Sequence, residues 1–370
     1  MIIYGALLIP IITAFILYKY FSHKTIWWEF AVPFIVSLIF IVSMKSIIEA
    51  VQVSCKEYWG SFIKQVNYYE DWNEYIHRIC TRSCGKNCIT TYDCSYVQYH
   101  PPRWEITTTT NETVSITQRE YNRVKSIFNN ESFVDLHRHH FTNDGDLYYS
   151  SWSNDSVRAV PVTTIHRYEN RIKASDQSVF HYGEVSDSDK VKYSLKEYPE
   201  IWEDYKTISV LGDSSQDALL ADKKAQYING LLGSKKEVRL FILVFKNQPI
   251  EAAIYQEWYW CGGNMNEIVA CIGIDNQRNI KWAKTISWTR SESLKAEITQ
   301  HINSQSKLNL SVTTEWMKSR IESKFKRRDF KEFNYLTVEP PLWAVILTYL
   351  LTITINVLLS RWIILNEHKG

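Results

Sequence analysis

Between Leu342 and Ser360 the chain carries no charged side chain; the run begins after Glu339-Pro340-Pro341 and ends at Arg361. A segment of this length and apolarity spans a hydrocarbon layer of roughly 30 Å as a helix, because only internal hydrogen bonding satisfies backbone groups there. Two further runs share its character. Ile2 to Tyr18 is uncharged and reaches about 25 Å as a helix. Phe30 to Met44, extended by Ile47 and Ile48, has Trp27 and Trp28 at one edge and Lys45 at the other, the interfacial aromatics and snorkelling cation of a membrane span. No basic segment precedes the first run and no small-x-small site follows it, so it reads as a retained span and not a signal peptide.

Short loops keep their cations on the cytoplasmic side. Lys19 and Lys24 lie between the first two spans, and Arg361 and Lys369 follow the last. These loops are expected in the cytoplasm, which leaves residues from about 50 to 340 on the opposite, extracytoplasmic face. Aromatic residues make up 14% of the chain, too many for a disordered middle. Lys and Arg number 42 against 40 Asp and Glu, so no single-sign excess tracks a phosphate backbone and nucleic acid is not an expected partner.

Cys80, Cys84, Cys88 and Cys94 fall within fifteen residues. In an oxidising compartment such a cluster predicts two disulfides closing short loops, in any of three connectivities. The alternative is zinc, held by four thiolates or by three with His100 if the cluster is reduced, although the spacings miss the paired two-residue knuckles of common zinc sites. Asp135, His137 and His139 suggest a second, weaker ligand set; on a strand all three share one face, which keeps them from closing around one ion unaided. Sequons stand at Asn111, Asn130, Asn154 and Asn309, acceptors only in a eukaryotic secretory setting.

The expected organisation is a helical hairpin over 1–50, a β-rich region with the cysteine cluster over 51–210, an α/β domain over 211–335 and a last span over 341–361. Tyr, Trp, Thr and Val with frequent turn residues favour strands in the second part, broken by one helix capped by Thr117 and Glu120. In the third, a helix over Gln216 to Leu232 shows Leu219, Leu220, Tyr227, Leu231 and Leu232 as apolar positions and ends at Gly233. A buried strand follows from Val238, then a helix opened by Pro249, a strand from Glu267 to Ile274, and a hairpin to Ile280 through Trp288. Helices after a Thr289/Glu292 capping box and from Val312 to Lys326 complete the order α-β-α-β-β-α-α.

That order, the strand at Leu240 to Phe245, the helix ending Trp258-Tyr-Trp-Cys-Gly-Gly and the following Asn-Met-Asn-Glu-Ile-Val-Ala-Cys-Ile-Gly-Ile resemble the TPM domain over residues 210–330. The chain departs from that family's Asp-Asn-Gly step, which reads Asn264-Met-Asn266-Glu267 here. The whole chain, with Tyr-Asp-Cys-Ser-Tyr at 92–96 and His-Pro-Pro-Arg-Trp at 100–104, resembles uncharacterised membrane proteins of tailed bacteriophages. The resemblance implies a bacterial inner-membrane setting.

The fold expected is therefore α+β and α/β, anchored by three transmembrane helices. Its partners would be the lipid bilayer and a protein, or a second copy. The function expected is an extracytoplasmic interaction or assembly module and not an enzyme, because no convergent nucleophile, base and metal can be read from the residues. The alternative is a TPM-like, phosphatase-like hydrolase or metal-binding domain.

Overall fold

The structure is a computed structural model that describes residues 2–20, 27–85, 88–128, 133–136, 145–152, 160–175, 177–180 and 182–367. Its helices are α1 (Leu8–Tyr20), α2 (Trp27–Val53), α3 (Gln118–Ile127), α4 (Arg171–Ala174), α5 (Asp187–Lys192), α6 (Gln216–Lys236), α7 (Glu251–Tyr259), α8 (Glu292–Asn303), α9 (Leu310–Lys324) and α10 (Leu342–Glu367). The strands are β1 (Ser54–Tyr69), β2 (Trp72–Ile76), β3 (Ile79–Gly85), β4 (Cys88–Asp93), β5 (Tyr96–His100), β6 (Arg103–Thr108), β7 (Thr113–Ile116), β8 (Phe133–Asp135), β9 (Leu147–Ser151), β10 (Pro161–Glu169), β11 (Val210–Leu211), β12 (Arg239–Lys246), β13 (Glu267–Ile274) and β14 (Ile280–Ser287). The chain gathers into two compact units, residues 1–56, 167–181 and 329–370 in one and 57–166 and 182–328 in the other.

In the first unit, Ile2–Lys19, Ala31–Val53 and Leu342–Leu365 are long and apolar enough to cross a membrane. α10 packs through a stripe that recurs every four residues, Ala344, Thr348, Thr352, Asn356 and Ser360, all buried. The threonine and serine hydroxyls donate to carbonyls one turn back, Thr348 to Ala344 at 2.8 Å and Ser360 to Asn356 at 2.7 Å. Small, self-satisfied side chains let neighbouring helices approach. Asn356 Nδ2 crosses to α2 and donates to Ser37 Oγ at 2.9 Å, so this polar residue packs helices together.

The second unit holds two larger sheets. One runs β7-β6-β1-β9-β8, with β10 also pairing β1, and α3 contributes Tyr121 and Val124 to its core. Thr117 caps α3 as expected, accepting from the Glu120 N–H. The other sheet is β11-β12-β13-β14, parallel across its first three strands and antiparallel at β14. Alternate residues of β12 enter opposite cores. Leu240, Ile242 and Val244 meet α6, α8 and α9, while Phe241, Leu243 and Phe245 meet α7 and Trp282. A strand covered on both faces must be apolar throughout, which is why the run reads as continuous. The order over α6 to α9 is α-β-α-β-β-α-α.

Several local expectations change. α6 does not end at Gly233 but continues to Lys236, where Glu237 takes the left-handed cap at φ 52°. Gly233 is an approach point instead: a Cβ there would fall 2.4 Å from Gly60 O, and one on Gly60 would fall 2.1 Å from Asn229 O. β1 therefore runs against the α6 backbone, and α6 buries Ala218, Ala221, Ala225 and Gly230, leaving Leu219, Leu220 and Tyr227 exposed. α9 likewise buries Leu310, Thr313, Thr314, Met317 and Ile321, with Val312 outside. The Thr289/Glu292 box is absent, because Ser291 is the N-cap and Thr289 Oγ1 donates to Lys326 O at 3.0 Å. Pro249 lies just ahead of the Ile250 N-cap of α7.

Replacing Gly60 by Ala forces backbone apart at this crossing, and overpacking of this kind costs about 1–3 kcal/mol. The expected result is a lower urea midpoint at unchanged slope for the G60A variant in detergent; an unshifted midpoint would refute the close approach.

Candidate functional site

A two-stranded ribbon carries several of the exposed apolar residues of the second unit. β2 pairs antiparallel with β5 and, farther along, β3 with β4. Cys80 and Cys94 form a disulfide where the two pairs meet, and the Cys94 N–H donates to Arg78 O at 2.9 Å beside it. Cys84 is also disulfide-bonded, and the side chain of Cys88 lies outside the described residues. Register sets Tyr75 opposite Val97 and Asn73 opposite Tyr99, so these four side chains share one face. On it Tyr75, Val97 and Tyr99 are 62%, 61% and 56% exposed. Ile79, Ile89 and Tyr92 of the β3–β4 pair are exposed as well, Ile79 and Ile89 on one face and Tyr92 on the other. Single exposed apolar residues are ordinary, but a contiguous set marks a contact surface.

In this arrangement Cys80, Cys84 and Cys94 are disulfide-bonded. Sulfurs joined in a disulfide are not thiolates and cannot form a four-thiolate centre. His100 is engaged elsewhere, with Nε2 2.8 Å from Glu74 Oε2 and its ring stacked on Trp72 at 4.6 Å. Among the described residues no group of three or more His, Cys, Asp or Glu is placed to hold a metal ion. Asp135 is exposed at the end of β8; His137 and His139 lie outside the described residues.

The Asn264 to Glu267 turn is a buried clamp. Gly262 and Gly263 adopt φ 78° and 77°, which brings the Asn264 N–H to Glu267 Oε2 at 2.9 Å and Asn264 Nδ2 to Oε1 at 2.8 Å. The Tyr198 hydroxyl donates to the same carboxylate. Burial pushes the Glu267 carboxyl up, against the pull of these hydrogen bonds and of Arg239. Arg239 is itself buried and lies over the rings of Phe241 and Tyr58, at 5.0 and 5.5 Å, a cation–π setting that compensates part of its desolvation. These groups hold one another and orient the start of β13.

Two charged clusters had no clear sequence signal. A cleft of about 390 Å³ is lined by Glu112, Thr163, Thr164, His166 and Asp204. His166 Nε2 lies 3.0 Å from Glu112 Oε1 and 3.1 Å from Thr164 Oγ1, with its ring stacked on Trp59 at 4.0 Å. The two side chains form a close polar pair. It is not a nucleophile–base–acid relay, because hydroxyl and carboxylate meet the same imidazole nitrogen and a relay needs them on opposite ones.

The second cluster sits at the carboxyl ends of the parallel strands, where open α/β sheets bind ligands. Asp213, just after β11, meets Arg278 Nη1 at 2.6 Å, Lys246 Nζ at 3.3 Å and the Ser215 hydroxyl at 2.9 Å. Burial would raise its carboxyl, but hydrogen bonds from Arg278 and Ser215 outweigh it and bring it down to about 2. The faint signal was Gly212-Asp213-Ser-Ser between a short strand and a helix. Here the charges neutralise one another, which ties the loop after β11 to the turn after β13.

By fold and surface the chain is a mixed α+β protein with apolar helices and a disulfide-clasped ribbon. Compared with protein-family models, curated proteins and solved structures, it matches none.

Two outcomes follow. Opening the fourteen-residue loop by Cys80→Ser removes about 3 kcal/mol from the ribbon, read as faster amide exchange over β2 to β5 with β12 and β13 unchanged; equal protection in the variant would contradict the clasp. Because the folded pKa of Asp213 is depressed, its stabilisation is present above the unfolded value near 4 and is lost as pH falls toward about 2. Asp213→Asn should flatten acid unfolding over that window, and an unaltered acid limb would count against the Arg278 pairing.

Proposed function

We propose that this chain is a membrane-anchored module, encoded by a phage or a bacterium, whose larger folded unit binds a protein on the extracytoplasmic side of the inner membrane. The observation that carries the reading is the ribbon: Tyr75, Val97 and Tyr99 form an exposed face on strands stiffened by the Cys80–Cys94 disulfide. A rigid aromatic and β-branched face gives up little conformational entropy on binding, and aromatic residues are enriched at contact centres. The disulfide fits an oxidising compartment. Three apolar helices and the cations at Lys19, Lys24, Arg361 and Lys369 fit an anchor whose short loops face the cytoplasm. The TPM-like reading of residues 210–330 belongs to the same proposal, as the scaffold that presents the ribbon. A hydrolase reading would rest on the Asp213–Arg278 cluster; its closed pairing favours the binding role.

The test is a photo-reactive amino acid placed at Tyr99 or Val97, and as a control at Val191, which is exposed on α5. In native membranes the ribbon positions should give one discrete adduct, at twice the chain mass if the partner is a second copy, and the control should give none. No adduct from either ribbon position, or the same adducts from Val191, would overturn the binding role. Phosphate-ester turnover abolished by Asp213→Asn would replace it with the hydrolase.

A further inference from the structure

α1 packs closely only at its beginning. Ile3 and Ala6 of the preceding turn are buried, and Tyr349 Oη, which donates to Ile2 O at 3.0 Å, would lie 2.2 Å from a Cβ on Gly5. From Ile11 to Lys19 no residue of α1 is buried. The helix therefore stands off its neighbours over its second half, and a groove of about 640 Å³ opens between α1 and α10. Its walls include Ile9, Ile16, Ile353 and Val357, with Ser360 and Arg361 toward the far end, just before Ile364 and Leu365. Among the described residues, no acidic side chain lines it.

The dimensions restrict what fits. Ile353 stands near the middle of the Leu342–Leu365 span, and the groove runs from there to Leu365, about 18 Å at the helical rise. Half of a hydrocarbon core is roughly 15 Å. The groove thus has the length of one leaflet, starting near the midplane on apolar side chains and carrying the Arg361 guanidinium about one turn before its far end at Leu365. An extended acyl chain matches the apolar part. Arg361 matches a phosphate, to which guanidinium donates in pairs, and Trp362 beside it is exposed at the level where aromatic residues meet headgroups.

We propose that the α1–α10 groove is a binding site for one phospholipid of net negative charge in the leaflet at the Arg361 end, with an acyl chain against Ile9, Ile353 and Val357 and the headgroup on Arg361. The inference rests on the membrane-anchored reading given above. A second groove, of about 570 Å³, lies on the other side of α1 along Pro10, Ala14, Phe15 and Tyr18 and includes no charged residue among the described ones. It serves as an internal comparison, apolar but without a cation.

The experiment has two stages. Carbonate extraction of expressing membranes comes first; release of the chain defeats the membrane reading itself. For retained protein, native mass spectrometry of the detergent-solubilised full chain compares phosphatidylglycerol with phosphatidylcholine of identical acyl chains. Phosphatidylglycerol should be preferred by about fivefold, the attraction one Lys or Arg brings at an anionic surface. Arg361→Gln should erase that preference and Arg361→Lys keep most of it. Val357→Trp, which fills the groove, should lower binding of both lipids, while Ala14→Trp in the comparison groove leaves the preference intact. Equal binding of the two lipids by the unaltered chain, or a preference that survives Arg361→Gln or disappears with Ala14→Trp, would sink the assignment.

Discussion

The second unit depends on one close contact between backbones. β1 crosses α6 where Gly60 lies against Asn229 and Gly233, and no side chain larger than hydrogen fits between them. The crossing brings the central strand of the six-stranded sheet onto a helix of the four-stranded one, so the two sheets share a wall. Asn229 does more than fill this site. Its Oδ1 accepts the Leu240 N–H at 2.7 Å, and its Nδ2 donates to Leu240 O at 3.1 Å and to Ser209 Oγ at 3.0 Å. β11 pairs with β12 only at Ile242 and Leu243, so the amide side chain supplies the bonds that a longer neighbouring strand would otherwise give.

Around that contact the buried charges are arranged to answer one another. Glu57, at the start of the unit, accepts from Arg327 at 2.5 Å and from Trp59 Nε1 at 2.7 Å. Arg327 also reaches Glu237 at 3.1 Å, the residue that caps α6. Thus the cap of α6, the beginning of β1 and the segment after α9 meet on one guanidinium. Asp213 with Arg278 does the same for the loops at the carboxyl ends of the parallel strands. Partners lost from such sets leave a buried charge uncompensated, which costs more than the pair contributed. This is the physical reason to regard these clusters as braces of the fold. The ribbon stands apart from them, with its apolar side chains turned outward.

Sequence reasoning captured what depends on periodicity. The three apolar helices, the alternation that sends β12 into two cores, the order of elements after Gln216 and the cap at Thr117 all follow from local pattern. It missed what depends on distant backbone. Leu219, Leu220 and Tyr227 look like a core face until β1 arrives over the alanines and glycines of α6, and a strand 170 residues away leaves no mark on local hydropathy. The same holds for Glu112 with His166 and for Asp213 with Arg278, where each residue is unremarkable alone and only the topology brings it to its partner. The cysteine cluster announced a constraint whose chemistry the sequence alone left open between disulfide and zinc, and the structure pairs Cys80 with Cys94 in a disulfide.

The first unit draws its parts from residues 1–56, 167–181 and 329–370, and its core joins Ile3 and Ile41 to Ala344. A ribosome delivers α1 and α2 long before α10 exists. Until then Ser37 lacks the Asn356 amide that meets it across the helices, and Arg171, paired with Glu49 at 2.7 Å, awaits the carbonyl of Leu336 that it also contacts. The bundle is thus sealed last, after the disulfide ribbon and both sheets have been synthesised. The bundle cannot be complete until the entire intervening chain has been made.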